Sequence, residues 1–479
     1  MVMGELTQET EVIVIGAGPG GYAAAFRAAD LGMDVTMVDL AERPGGVCLF
    51  RGCIPSKSYL YLSELIHDAR RAESMGVFFG PPRIDLNALR NWKNQVVNKH
   101  AEGLMTLNNK RGVQLIQGRV EFESANRVRL HEADVSHIGF KRAILASGSH
   151  PVPFPGTPRQ KNSRIMTSTE ALELIDIPES LLVIGGGYVG LELGSVYAAL
   201  GSKVTVAELG DSLLPGVDPD LIRVLARRLR ELFHAIYLNT RVLDLKETSD
   251  SVEVHFKGAA DPAGQRFDRV LVAIGRKPNS SGMGLEAAGV TVDAKGFVQV
   301  DEQQRSSNAH IFAVGDVTGG MMLAHKAMRE GKVAAEVVAG KPSAFDARVI
   351  PAVVYTDPQI AWCGLTEVEA LRRHIPTEIR RFPWKASGRA STMGIEDGLT
   401  KMIISPDTQR ILGVGIAGRN TEGLISEAVL AIEMGALVQD LALSVHPHPT
   451  LSETEGEVAE IFLGSATHVL NPGPGRLNP

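Results

Sequence analysis

An internal repeat constrains the fold of this chain more than any other feature of its sequence. The segments 11–39 and 181–208 align without a gap, and each reads as a short apolar strand, a glycine turn, a helix of small residues and a second strand that ends in an acid. The alignment pairs Gly16 with Gly185, Gly18 with Gly187, Gly21 with Gly190, Gly32 with Gly201, and Asp39 with Glu208. This order of elements is typical of an α/β fold with two dinucleotide-binding units.

Each part of the repeated unit suits a dinucleotide. The first glycine allows the tight bend, the second lets the backbone approach a pyrophosphate, and the third lets the helix pack on the strand. The helix N-terminus offers free N–H groups to phosphates, and the final acid accepts hydrogen bonds from a ribose hydroxyl. A glycine turn alone is weak evidence, and two turns that pack without a ligand remain the alternative. Agreement of strand, helix and acid in both copies favours two cofactor sites.

Glu208 predicts which nicotinamide cofactor the second site prefers. Its carboxylate would repel a 2′-phosphate, and the three residues that follow it include no arginine. The second site should therefore take NAD rather than NADP.

Length and charge limit the remaining possibilities. The chain has 479 residues, and at about 150 residues per domain this predicts roughly three domains. The formal net charge of −6 gives no global attraction to nucleic acid. No apolar run reaches the roughly 18 residues of a membrane span, and the N-terminus lacks the pattern of a secretory signal. We expect a cytoplasmic protein with no nucleic-acid or membrane partner.

Three cysteines occur in the chain, and two of them lie close together. So few cysteines exclude a scaffold of structural disulfides and indicate a reducing compartment. Cys48 and Cys53 directly follow the first repeat, and Gly52 gives the turn freedom to bring the sulfurs together. Inert thiols or half of a metal site are the alternatives, but zinc needs ligands that this segment lacks, so no metal is predicted. The spacing favours a redox-active disulfide.

A redox disulfide beside two dinucleotide sites indicates a flavin. Direct transfer between a hydride carrier and a disulfide is chemically awkward, whereas a flavin exchanges with both. The first site adjoins the cysteines along the chain. We therefore expect FAD in the first site and NAD in the second.

Six groups of residues resemble the motifs of the pyridine nucleotide–disulfide oxidoreductase family, in the right order along the chain. They are the two glycine turns, the second of them with Glu192, and the segments 48–57, 272–276, 311–316 and 446–453. Together they run from about residue 11 to residue 463, nearly the whole chain. The motifs are most similar to those of the members that oxidise protein-bound dihydrolipoyl groups with NAD.

The resemblance implies catalytic roles around the cysteines. Cys53 would face the flavin, and Cys48 would exchange with the substrate. Lys57 would lie near the flavin and pair with Glu192. Family members with these residues also use the lipoyl domain of an acyltransferase (E2) or the glycine cleavage H protein as partner.

The resemblance makes His448 the acid–base, oriented by Glu453 and supplied by the partner subunit of a homodimer. A group that takes a proton from a thiol needs a pKa near neutral, which histidine provides, and a carboxylate fixes its tautomer. By itself, the stretch 446–449 is more often a surface turn.

The resemblance also assigns contacts to the two cofactors. For FAD they are Gly16, Gly18, Gly21, Asp39, Gly46, Lys57, Val120, Asp316 and Ala324. For NAD they are Gly185, Gly187, Gly190, Glu208, Val242 and Gly275.

Proline- and glycine-rich breaks divide the chain into domains. They predict an FAD domain at 1–150 and 278–349, split by an NAD domain at 151–277. An α+β interface domain should follow at 350–470, with a flexible tail at 471–479.

Three functions compete. The first is oxidation of dihydrolipoyl groups with NAD. The second is NAD(P)H-dependent reduction of another disulfide or of a metal within the same family. The third is a non-catalytic, flavin-bearing docking subunit, which would have lost the catalytic residues that are present here. Arg51 departs from the usual family loop, and we hypothesise that it lowers the pKa of the exchanging thiol or recognises a negatively charged partner.

Overall fold

The computed structural model describes residues 7–157, 162–259 and 264–470. The tail predicted at 471–479 lies outside the described residues. The fold consists of two α/β dinucleotide-binding domains and a C-terminal α+β domain, as the sequence predicts.

The first segment of the chain forms most of the first domain. Its strands are β1 (Thr7–Ile15), β2 (Val35–Asp39), β3 (Gln114–Gln117), β4 (Arg119–Ser124), β5 (Arg127–His131), β6 (His137–Leu145) and β7 (Ser149–Pro151). Its helices are α1 (Pro19–Asp30), α2 (Gly46–Arg51), α3 (Cys53–Arg71) and α4 (Leu86–Lys110), with a 3₁₀ turn at Ala72–Met75.

The middle segment forms the second domain. Its strands are β8 (Ile165–Met166), β9 (Ser180–Ile184), β10 (Lys203–Ala207), β11 (Ala235–Tyr237), β12 (Arg241–Glu247), β13 (Val252–Lys257), β14 (Gln265–Phe267), β15 (Arg269–Val272) and β16 (Arg276–Pro278). Its helices are α5 (Ser168–Ala171), α6 (Tyr188–Leu200) and α7 (Pro219–Leu232).

The chain then returns to the first domain and continues into the third. The return consists of β17 (Ile311–Ala313), a 3₁₀ turn at Gly315–Thr318 and α8 (Ala324–Val338). The third domain has strands β18 (Ala352–Val354), β19 (Gln359–Gly364), β20 (Glu378–Pro383), β21 (Leu399–Ile404) and β22 (Ile411–Gly418). Its helices are α9 (Glu367–Arg372), α10 (Gly388–Thr392), α11 (Thr421–Met434), α12 (Val438–Ala442) and α13 (Glu453–Leu463), with a 3₁₀ turn at Trp384–Ala386.

The two repeated units have the same topology. In the first domain, β1 pairs in parallel with β2 and β6, and the sheet order is β3-β2-β1-β6-β5-β4, with β17 also on β6. In the second, β9 pairs in parallel with β10 and β15 in the order β11-β10-β9-β15-β8. Because β1 and β9 are central and covered on both faces towards their C-terminal ends, residues 12–15 and 181–184 are continuous apolar runs rather than alternating ones.

Small residues let the helices of the first domain approach closely. The buried alanines of α1 pack against α8, and a Cβ atom on Gly331 would lie 2.3 Å from the carbonyl oxygen of Gly20. No side chain fits there, so the alanine- and glycine-rich composition of both helices follows from their separation.

A two-stranded ribbon joins the first and second domains. Strands β7 and β16 are antiparallel, with Pro151 opposite Arg276 and Ser149 opposite Pro278. The predicted boundaries at 150/151 and 277/278 lie in this ribbon, and the predicted division into domains stays a prediction. The third domain contains the antiparallel sheet β18-β19-β22-β21-β20. Among the described residues, no helix is long and apolar enough to cross a lipid bilayer.

Candidate functional site

The first glycine turn leaves one face of its backbone open. Gly16 has a φ of +104°, and a Cβ atom there would lie 2.3 Å from the carbonyl oxygen of Ala146. A Cβ atom on Gly21 would lie 1.7 Å from the carbonyl oxygen of Gly16. At Gly18, by contrast, the nearest atom to such a Cβ is the Cα of Gly46, at 3.8 Å. The outer two glycines are therefore required by backbone packing, whereas the middle one faces free space.

The second turn repeats this geometry. Gly185 has a φ of +107°, and its Cβ would lie 2.4 Å from the carbonyl oxygen of Ala273. A Cβ atom on Gly190 would lie 2.2 Å from the carbonyl oxygen of Gly185, and one on Gly187 would meet nothing within 4 Å. The same backbone conformation therefore occurs at both copies of the repeat.

The two acids that end the repeats bind the backbone in the same way. Asp39 accepts hydrogen bonds from the N–H groups of Ala17 and Ala41, at 2.6 and 2.8 Å. Glu208 accepts them from Gly186 and Gly210, both at 2.6 Å. A carboxylate offers about four acceptor positions, so each acid can still accept from a ribose hydroxyl.

Two cavities contain most of the predicted binding residues. The first, of about 510 Å³, is lined by Gly16, Gly18, Asp39, Gly46, Cys48, Cys53, Lys57, Val120, Glu192, Asp316 and Ala324. The second, of about 450 Å³, is lined by Gly185, Gly187, Glu208, Val242 and Gly275. Gly21 and Gly190 lie behind the turns, where they pack against backbone.

The residues present fit a dinucleotide in each cavity. Each cavity meets a helix N-terminus, where unpaired N–H groups favour phosphate. The open sides of Gly18 and Gly187 leave the space that a side chain would otherwise fill. The volumes lie in the range of cofactor sites in proteins.

The cysteine loop is packed against the first glycine turn. A Cβ atom on Gly46 would lie 2.5 Å from the Cα of Gly18, so only glycine fits at this contact. Gly52 has a φ of −151° and a ψ of −113°, which is neither an extended nor a helical conformation, and its Cβ would lie 3.0 Å from the carbonyl oxygen of Val47. The sequence predicts Gly52 for conformational freedom, and the limited space beside Val47 also favours glycine there.

The two thiols differ in acidity. Both are reduced here, and Cys53 is the first residue of the long helix α3. A hydrogen bond from Cys48 lowers the pKa of Cys53 to about 7, with burial opposing it and Lys57 contributing to it. The same hydrogen bond, together with burial, raises the pKa of Cys48. The helix N-terminus also favours a thiolate at Cys53. The pair therefore carries its negative charge at Cys53.

Lys57 supplies the cation beside the thiols. Its Nζ lies 2.8 Å from Oε2 of Glu192, whose side chain is only 4% exposed. Lys57 is the cation among the largest contributions to the pKa of each cysteine, and it lowers both. Arg51 lines the first cavity, where it is exposed.

The two cavities share a wall. Ser168, Tyr188, Val189 and Arg276 line both of them. Arg276 donates hydrogen bonds to Oγ and to the carbonyl oxygen of Ser149, each at 2.7 Å, and its Nε lies 3.8 Å from Asp316. A group bound in one cavity can therefore lie close to a group bound in the other at these shared residues.

His448 and Glu453 line neither cavity. They form a pair with 2.8 Å between Nδ1 of His448 and Oε1 of Glu453, and the histidine side chain is 73% exposed. Although burial opposes it, hydrogen bonds from the Thr450 N–H and from His448 lower the pKa of Glu453. The structure thus forms the pair but does not bring it to the cysteines of the same chain.

Several residues of the site have no role assigned from the sequence, although Arg276 belongs to the motif at 272–276. Arg276 and Ser149 lie on the ribbon between domains, and Tyr355 lies over Lys57. Arg241 lines the second cavity together with Glu208, although it lies far beyond the three residues that follow Glu208 in the chain. The sequence does contain a signal for the residues that contact Gly16 and Gly185. The segments 146–148 and 273–275 both read Ala-x-Gly and follow equivalent strands, so the internal repeat extends to them.

Comparisons with known proteins agree along nearly the whole chain. A family model described as pyridine nucleotide-disulphide oxidoreductase matches residues 10–331, and the corresponding dimerisation domain matches residues 350–459. A dihydrolipoyl dehydrogenase of Vibrio parahaemolyticus is 44% identical over 465 residues, covering 97% of this chain and 98% of that protein.

Two solved structures are also similar. LpdA from Mycobacterium tuberculosis has a TM-score of 0.87 at 26% identity and covers 95% of this chain and 99% of that one. The HOCl-induced flavoprotein disulfide reductase RclA from Escherichia coli has a TM-score of 0.84 at 26% identity, with 94% and 99% covered.

Proposed function

This chain belongs to the pyridine nucleotide-disulphide oxidoreductase family, and from that premise we propose that it oxidises protein-bound dihydrolipoyl groups with NAD. One observation supports this most directly. The cavity that contains the Cys48–Cys53 pair also contains the first glycine turn, and it shares a wall with the cavity of the second turn. A dithiol and two dinucleotide sites are thus adjacent.

We assign FAD to the first cavity and NAD to the second. When bound, the flavin accepts an electron pair from a thiolate and passes a hydride to NAD. Gly18 and Gly187 allow the backbone to approach the two pyrophosphates, and Asp39 and Glu208 accept from the ribose hydroxyls. The other contacts are Gly16, Gly21, Gly46, Lys57, Val120, Asp316 and Ala324 for FAD, and Gly185, Gly190, Val242 and Gly275 for NAD.

The cysteines carry out a thiol–disulfide exchange. A thiolate of the substrate attacks Sγ of Cys48 in the oxidised pair, and Cys53 leaves as the thiolate. The second substrate thiol then displaces Cys48, which leaves lipoyl disulfide and a reduced pair. Overall, the dithiol loses two electrons and two protons, NAD gains a hydride, and one proton is released. Because Cys53 is the more acidic thiol, it is the better leaving group.

His448 accepts the proton of the substrate thiol. Glu453 binds Nδ1, which fixes the tautomer that leaves Nε2 free to act as a base. Since this pair lines neither cavity of its own chain, it acts in the site of the partner subunit. The match of residues 350–459 to a dimerisation domain supports a homodimer.

The substrate is a lipoyl group carried by another protein. The partner is the lipoyl domain of an acyltransferase (E2) or the glycine cleavage H protein, as the resemblance of the motifs implies. The cytoplasmic location expected from the sequence stays a prediction.

The test uses the purified holoenzyme with free dihydrolipoamide and either NAD or NADP. We expect NADH to form with NAD and the rate with NADP to be far lower. Cys48→Ala and Cys53→Ala should abolish NADH formation, whereas Cys363→Ala should not, because this third thiol is buried in the C-terminal domain. Absence of NADH formation by the unaltered enzyme would contradict the proposal.

A second candidate is an NADP-dependent reductase of another disulfide. Arg241 in the lining of the second cavity favours it, since a cation beside the ribose could accept a 2′-phosphate. The same assay separates the two, because this candidate predicts faster turnover with NADP than with NAD.

A further inference from the structure

Three domains meet at the Lys57–Glu192 pair. Lys57 lies on α3 of the first domain, and Glu192 lies on α6 of the second. Tyr355 directly follows β18 of the third domain. Oε2 of Glu192 accepts from Nζ of Lys57 at 2.8 Å, and Oε1 accepts from the backbone N–H of Tyr355 at 3.0 Å. Each oxygen of this buried carboxylate therefore accepts a hydrogen bond, one from the first domain and one from the third.

The ring of Tyr355 lies against the lysine ammonium. Nζ of Lys57 is 4.5 Å from the centroid of the ring, which is within the range of a cation–π contact. The ammonium thus has a carboxylate on one side and an aromatic face on another. A lysine side chain is flexible, and these two contacts restrict where its charge can lie.

The position of this charge matters for Cys53. The groups that interact with Cys53 come from several elements: Cys48 from α2, Lys57 from its own helix, Tyr22 from α1, Glu192 and Tyr188 from α6, and Tyr355 from the third domain. Among them, Lys57 is the cation that lowers the pKa of Cys53, while Glu192 raises it. The net effect on the thiolate therefore depends on where the ammonium is held relative to the carboxylate.

We propose that Tyr355 is a positioning residue, whose ring and backbone N–H hold the Lys57–Glu192 pair so that the ammonium stabilises the Cys53 thiolate. This rests on the proposed function and adds to it that the dimerisation domain contributes to the chemistry of the dithiol in its own chain. Its contribution is separate from that of His448, which acts in the partner subunit.

The test compares Tyr355→Leu with Tyr355→Phe in the FAD-loaded enzyme. Both variants keep the backbone N–H, and only Tyr355→Phe keeps the aromatic face. Tyr61→Leu is the matched control, because Tyr61 lies on the same helix as Lys57 but is 55% exposed. Each enzyme is reduced by two electrons with dithionite. The long-wavelength absorbance of the thiolate beside the flavin is then followed against pH.

We expect the apparent pKa of the thiolate to rise by about 0.5 in Tyr355→Leu, the size of a cation–π contact. It should be unchanged in Tyr355→Phe and in Tyr61→Leu. FAD content per chain checks that the variants are folded. A Tyr355→Leu titration that coincides with that of the unaltered enzyme would overturn the proposal, as would a shift in Tyr355→Phe as large as in Tyr355→Leu.

The titration involves no lipoyl substrate, so the two proposals can fail separately. A protein that does not oxidise dihydrolipoamide but shows the expected pattern of shifts refutes the proposed function and supports the role of Tyr355. Turnover of dihydrolipoamide with identical titrations refutes the role of Tyr355 alone.

Discussion

A buried carboxyl group in the C-terminal domain should make the stability of this protein depend on pH. Glu455 lies on α13 and is fully buried. Neither of its oxygens has a hydrogen-bond partner among the residues that the structure describes. Burial raises its pKa well above the ordinary value of 4.5, and the nearby Glu427 carboxylate raises it further. We predict that Glu455→Gln stabilises the protein, and increasingly so as the pH rises.

The magnitude follows from one proton per chain. Between pH 4.5 and the raised pKa, the folded chain keeps the proton of Glu455 while the unfolded chain has lost it. The free energy of unfolding therefore falls as the pH rises, by about 1.4 kcal/mol per pH unit for this group. Glutamine cannot titrate, so the difference between variant and unaltered enzyme should grow with that slope. This difference should stop growing once the pH exceeds the pKa of Glu455 in the folded state.

The assay is urea unfolding of the FAD-loaded enzyme from pH 5 to pH 8, at fixed protein and FAD concentrations. Comparing variants under identical conditions removes the contributions of dissociation and cofactor release. Asp407→Asn is the control, because Asp407 is an exposed acid in the turn between β21 and β22. A difference between Glu455→Gln and the unaltered enzyme that does not change with pH would refute the reasoning.

Three further substitutions test other parts of the structure. Lys401→Met should lower the free energy of unfolding, measured with urea, by about 3–5 kcal/mol. The reason is that its buried ammonium pairs with Asp218, Asp220 and Glu367. Lys203→Met removes an exposed ion pair and should change the free energy of unfolding little. Glu208→Ala should raise kcat/KM for NADP relative to NAD, because it removes the charge that repels a 2′-phosphate; an unchanged ratio would mean that Glu208 does not select the cofactor. Gly46→Ala should leave the purified chain with little FAD by absorbance, because its Cβ would lie 2.5 Å from the Cα of Gly18, whereas Gly103→Ala, with open space around it, should retain FAD.

The sequence predicts the parts of the molecule that are contiguous or repeated. The two glycine turns have the geometry expected from their alignment, and local spacing brings Cys48 of α2 beside Cys53 at the start of α3 and His448 beside Glu453. These features depend on residues a few positions apart, which a pattern can reveal.

The contacts between domains were not predictable in the same way. Lys401 reaches Asp218 across 183 positions of the chain, and Glu192 binds the backbone of Tyr355 across 163. No periodicity links such residues, because their proximity depends on how whole domains pack. A lysine inside the apolar run of β21 is unusual, but by itself it does not indicate its partners.

The charged residues at these junctions limit how the protein could be re-engineered. Glu192 of the middle domain binds Lys57 of the first domain and the backbone of Tyr355 in the third. Asp218 and Asp220 of the middle domain bind Lys401 of the third. Arg228 of the middle domain binds Asp357. A chimera that exchanges this domain for one with another cofactor preference would leave Lys57 without its carboxylate and Lys401 with Glu367 as its remaining acid, unless the matching acids are transplanted with it. Interchangeability of domains in this fold is thus limited by a few charged positions at the domain junctions.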